Sequence, residues 1–171
     1  MTNDHVLPAD GPHTSNGRPR GFSSLAPFVA LQEPQGAIDF YTSVFGARLI
    51  SSSSMDGQIV HAEMEFPSGR LQLGSAMEAY RLRAVDPDDE DSQFSIGLYV
   101  PNVDEVVEAA LAAGATLREP VSTFVSGDRF GSIRDPFGVR WSVMTRVEDL
   151  SDDESTRRVE QWLAEMAEEA P

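Results

Sequence analysis

The chain has 171 residues, 40% hydrophobic and 24% charged, which suits one domain with a real core or two small halves sharing one. It has no cysteine and its 13 basic residues are all arginines, which excludes a disulfide framework, a thiol nucleophile, a thiolate metal site and a Schiff-base lysine. A net charge of −15 repels phosphate backbones and favours a cationic small molecule over nucleic acid as partner; with no membrane-length apolar run and no apolar core of a secretory signal, a cytoplasmic protein is expected.

In chain order, residues 1–22 are rich in Gly, Pro, Asn and Asp without periodicity and read as a disordered lead. His5 and His13 fall in it; such a lead gives a two-histidine metal site no fixed geometry. LAPFVAL at 25–31 suits a short strand. PQGAIDFYTSVFG at 34–46 suits a helix. Pro34 fits its first turn, Ile38, Tyr41 and Phe45 form an apolar stripe with Ala37 and Phe40, and Gly46 is placed to end it. RLISSSS (48–54) and GQIVHAEMEF (57–66) read as strands about a Met55-Asp56-Gly57 turn, and RLQLG (70–74) follows a Ser68-Gly69 turn.

The order then repeats. SIGLYV (95–100) is a strand, and NVDEVVEAALAAG (102–114) is a helix with Asn102 as N-cap and Gly114 past its end. ATLREPVST, DRFGSIRD and GVRWSVMT follow as strands. FGARL (45–49) lies over AGATL (113–117), and RLQL (70–73) over RWSV (140–143). A near-constant offset of about 70 positions argues for internal duplication. The predicted fold class is α+β: two tandem βαβββ modules forming a curved mixed sheet with a cleft, plus a C-terminal helix. The predicted domain spans 23–147, with module 1 at about 25–75 and module 2 at about 94–146. The acidic stretch 78–93 between them reads as a mobile linker. The tail, 148–171, reads as an acidic amphipathic helix. Ser151 and Glu154 suggest a capping box, and Val159, Trp162, Leu163 and Met166 share one face opposite Glu160, Glu165 and Glu168.

The paired βαβββ order resembles the vicinal oxygen chelate superfamily of glyoxalases, extradiol dioxygenases and bleomycin-resistance proteins. AIDFYTSVFGARL (37–49) and VPNVDEVVEAALAAGA (100–115) are similar to its module helices, and DPFGVRWSV (135–143) to its closing hairpin and last strand. His61-Ala62-Glu63, Gly127 to Gly131, Asp135 to Trp141 and Val147 to Ser151 together resemble the PhnB-like branch. Some members of that branch carry an inherited ubiquinone-methyltransferase label, but no glycine-rich nucleotide loop follows the first strand here. The resemblance implies a homodimer and, in metal-dependent members, four His, Glu or Gln ligands. Those positions fall on Ala26 or Pro27, Gln72, Ser95 and Ser142. Alanine and proline offer no side-chain donor and neutral serine is a poor ligand. The expected metal site is therefore lost, and no cofactor is expected. A repositioned metal would need His61 with Glu63 or Glu65.

Alternation along the strands sets His61, Glu63 and Glu65 on one face, with Arg70 and Gln72, and sets Arg140, Ser142 and Met144 together on another. The predicted ligand cleft is lined by His61, Glu63, Gln72, Arg140 and Ser142. Arg140 is expected to pair with Glu63 or Asp135. Binding of a small, cationic molecule without chemistry is the first expectation. The alternative is a lyase or isomerase with His61 as general base oriented by Glu63.

Overall fold

The computed structural model of the chain describes residues 7–169, so His5 lies outside the described residues. It divides into two compact units, Met1–Ala84 and Val85–Pro171.

The first unit opens with a small hairpin, β1 (Thr14–Ser15) and β2 (Arg18–Pro19). It falls within the stretch read as a disordered lead. Asn16 and Gly17 both have positive φ, the pairing that a two-residue type I′ turn requires. An Asn-Gly pair was therefore the one local signal that the lack of periodicity concealed.

The body of the unit follows the predicted order: β3 (Phe28–Leu31), α1 (Pro34–Phe45), β4 (Arg48–Met55), β5 (Gln58–Phe66) and β6 (Gly69–Ser75). The strands form one sheet in the order β3-β6-β5-β4. β3 runs parallel to β6 and the other pairs are antiparallel. α1 ends where predicted, with Gly46 in the left-handed region at φ 67°. It buries Ala37, Ile38, Phe40, Tyr41 and Phe45, while Ala62, Met64, Leu71 and Leu73 are buried on the strands. Period-two alternation thus sends one face of β5 and β6 to the helix and leaves the polar face opposite.

The second unit repeats this plan. β7 (Ser95–Tyr99), α2 (Val103–Ala112), β8 (Thr116–Thr123), β9 (Asp128–Arg134) and β10 (Arg140–Arg146) form a sheet in the order β7-β10-β9-β8. β7 and β10 are parallel. The Asn102 side chain accepts from the backbone N–H groups of Asp104 and Glu105 at 3.2 and 3.4 Å, capping α2 as predicted. Val103, Val107 and Ala110 of α2 are buried, as are Ile133, Trp141 and Val143 of the sheet.

The hairpin between β9 and β10 is built on the Asp135 carboxylate. Its Oδ1 accepts from the backbone N–H of Phe137 and of Val139, each at 2.9 Å, and its Oδ2 accepts from the Trp141 indole at 2.9 Å. Gly138, at φ 90°, could not carry a side chain: a Cβ there would lie 2.9 Å from the Asp86 carbonyl oxygen and 3.0 Å from the Pro87 Cα. Residues 85–90 are therefore seated on this hairpin. Arg134 donates to the Asp86 carbonyl at 3.0 Å, and Glu90 pairs with Arg118 at 2.7 Å. The acidic stretch read as a linker has its second half held to this unit by ion pairs that its composition did not reveal.

A third helix, α3 (Asp152–Glu169), follows β10. Ser151 caps it, accepting from the Glu154 N–H at 3.2 Å. The capping box is only half formed, because the Glu154 carboxylate turns to Arg157 and Arg158 instead.

Candidate functional site

On the polar face of the first sheet, strand register aligns one row across four strands. Phe28 pairs with Gln72, Gln72 with Glu63 and Glu63 with Ser51. Directly paired residues share a face, so these side chains stand side by side. His61 is two residues from Glu63 on the same face, and its ring lies 6.1 Å from that of Phe28. Three of the predicted site residues, His61, Glu63 and Gln72, are thereby brought together.

Arg70 joins them and was absent from the predicted lining, although alternation already set it beside Gln72. Its guanidinium lies 3.2 Å from the Glu63 carboxylate and 3.1 Å from that of Glu65. The Arg70 and Glu63 side chains are 8% and 7% exposed, so the charges need each other. Their geometry is not that of a satisfied pair: Glu63 Oε1 and Arg70 Nε and Nη1 are buried without a hydrogen bond. Phe22 lies over Arg70, with 4.0 Å from the guanidinium carbon to the ring centroid, a cation–π contact. Glu63 is thus committed to Arg70 rather than free to orient His61.

The second sheet carries the corresponding row, Gly97, Ser142, Ser132 and Glu119. Ser142 stands on this row and Arg140 two residues before it on the same strand face, paired in register with Ser95 and Arg134, and Arg140 has other side-chain partners than expected. Arg140 pairs with Glu119, and its Nε donates to Ser132 at 3.0 Å. Asp135 is occupied by its turn and by Trp141, and Glu63 by Arg70.

The positions implied for a divalent metal were tested on their donors. In the first unit the Gln72 N–H donates to the Pro27 carbonyl at 2.8 Å, which places Gln72 beside two residues without a side-chain donor. In the second unit the Ser95 and Ser142 hydroxyls lie 2.9 Å apart and bond each other. A divalent cation takes neutral imidazole or carboxylate donors, and this set does not fit one. Among the described residues no group of three or more His, Asp or Glu side chains is arranged to hold a metal ion.

The phrase Gly127 to Gly131 is spent on structure. The Asp128 carboxylate accepts from Ser126 and Tyr99 at 3.1 and 3.3 Å and pairs with Arg146 at 2.9 Å. Arg129 forms a two-pronged pair with Asp104 at 2.7 and 2.6 Å. That pair holds the Asp104 carboxyl below its usual range, and the guanidinium above.

The model of the Glyoxalase/Bleomycin resistance protein/Dioxygenase superfamily matches residues 24–143. The chain belongs to this superfamily. A Mycobacterium bovis protein, Mb0911c, is 30% identical over 134 residues, covering 77% of this chain and 88% of that one. The crystal structure of TioX from Micromonospora sp. ML1 is 26% identical, covering 75% of this chain and all of that one, with a TM-score of 0.57. A PhnB protein from Bacillus cereus shares the fold at 18% identity and a TM-score of 0.56, over 72% of this chain and 99% of that one. The matches agree with the duplicated βαβββ plan. No helix among the described residues is long and apolar enough to cross a membrane.

Proposed function

We propose that this superfamily member binds a small organic molecule on the polar face of its first sheet without transforming it. One observation carries the reading: at two of the positions where metal-dependent members hold ligands, Ser95 and Ser142 bond each other. What remains on the first sheet is recognition chemistry. Phe28 offers an apolar surface, Gln72 both donor and acceptor, and the Glu63–Arg70 pair has buried hydrogen-bonding capacity left over. A ligand with a polar group and an apolar body uses all three. The phrases His61-Ala62-Glu63, Gly127 to Gly131 and Asp135 to Trp141 favour kinship with the PhnB-like branch, and a homodimer goes with that kinship.

The catalytic alternative makes His61 a general base. It is weakened because Glu63, the only carboxylate two residues from it on that face, is paired with Arg70. Calorimetry with ligand candidates on the full chain separates the two. We expect Gln72→Leu to weaken binding about fivefold or more, the loss of a half-buried hydrogen-bonding partner, and we expect no turnover of the bound compound. Turnover by the wild-type chain that disappears in His61→Ala overturns the binding reading.

A further inference from the structure

The second unit carries a feature built partly from residues beyond the superfamily-matched segment. Helix α3 lies against the end of β8 and the turn that follows, and a groove of about 420 Å³ opens between them. The matched segment ends at residue 143, so the helical wall of this groove lies beyond that segment.

The wall is positioned by three ties. Ser155 donates to the Ser126 carbonyl at 2.9 Å. Arg158 pairs with Glu148 at 2.9 Å and with Glu154 at 3.0 Å. The Trp162 indole meets Phe124 edge to face, with ring centroids 5.0 Å apart at 81°. The turn is tied to the segment before α3 by the Gly127 carbonyl, which accepts from the Val147 and Glu148 N–H groups at 2.9 and 3.2 Å. The groove is thus an aromatic surface fixed between secured elements.

Its rim is acidic. Glu148 and Glu165 both line it, with Arg158 the one cation among the lining residues; Glu165, three residues on from Trp162, thus lies beside the indole and not on the opposite face where the sequence pattern set it. Arg158 is neutralised by Glu148 and Glu154, whose carboxylates raise its pKa. Glu165 receives a hydrogen bond from Gln161 at 2.9 Å but no cation faces it among the described ion pairs. The lining therefore presents an indole, a phenyl ring and an uncompensated carboxylate, in a chain of net charge −15.

We propose that this groove is a binding site for a small organic cation, an amine or quaternary ammonium group carried on an apolar body. The apolar body lies against Phe124 and Trp162. The cationic centre sits over the indole, the strongest of the cation–π surfaces, within reach of Glu165. A volume of about 420 Å³ is within the range of small-molecule sites. The proposal is independent of the sheet-face reading, since it uses none of the same residues.

The test titrates benzyltrimethylammonium chloride into the full-length chain by calorimetry, with benzyl alcohol and benzoate as neutral and anionic comparators. The cation is expected to bind, more weakly as salt rises, with benzyl alcohol weaker and benzoate silent. Trp162→Phe keeps an aromatic anchor for α3 and should weaken the cation by about two- to fivefold. Glu165→Gln, at an exposed position, leaves the helix intact and should weaken it comparably. His61→Ala and Gln72→Leu should leave this affinity unchanged, which separates the groove from the sheet face. No binding of the cation, benzoate binding as well as the cation, or equal affinity in wild type, Trp162→Phe and Glu165→Gln overturns the proposal.

Discussion

Asp135 shows how one side chain determines a local structure. Its two carboxylate oxygens satisfy two backbone N–H groups and a buried indole, while Trp141 is only 1% exposed. Its turn role was legible in the Asp-Pro-Phe-Gly order, because Asx turns and proline-preset φ are local effects. Its bond to Trp141 was not legible, since the two are brought together by pairing of β9 with β10. Asp135→Asn presents an amide N–H to one of the three donors. We expect a loss of about 1–3 kcal/mol in chemical denaturation, the cost of a buried donor left without its acceptor. If the indole is that donor, Asp135→Asn and Trp141→Phe should be non-additive by about 0.5–3 kcal/mol in a double-mutant cycle. Strict additivity would show that the two groups are energetically independent.

Helices are more legible in the sequence than their surroundings, for the same reason of locality. The apolar stripe and Gly46 delimited α1, and the Asn102 cap delimited α2. For α3 the sequence supplied the start and the stripe but not the ion pairs. Ser151 caps, yet Glu154 is drawn to Arg157 and Arg158, one turn on, rather than back to the cap. Hydrogen bonds from these two arginines lower the Glu154 carboxyl from 4.5 to about 2. A carboxyl depressed on folding contributes stability that is complete above its ordinary value and is lost as pH falls through its folded one. The support for α3 should thus be intact above pH 4.5 and disappear toward pH 2. The Glu154 side chain is half-buried at the helix surface, and the effect is read best by its own NMR titration. A midpoint near 2 is expected; one at 4.5 would mean that the arginine pairs do not persist in solution.

At the scale of the whole chain, duplication was the strongest legible signal. Two short phrase matches at a near-constant spacing implied two like modules, and both sheets have the same strand order with the same parallel first-to-last pairing. Partners across strands were the illegible part: Arg140 goes to Glu119, and Arg134 and Arg118 tether the acidic stretch, because such choices depend on register and loop path. The duplication also makes the metal question a comparison of like positions. The corresponding pairs hold Gln72 beside Pro27 in one unit and Ser95 beside Ser142 in the other. One amide and two hydroxyls lack the anionic or imidazole donors that retain a divalent ion against water. Protein purified without chelator should therefore carry nickel, zinc, manganese or iron well below one equivalent. Its thermal midpoint should not change when EDTA is added, since an ion bound only to the native state would stabilise it by mass action. A stoichiometric metal whose removal lowers the midpoint would mean that donors elsewhere hold it, with His61 the first residue to substitute.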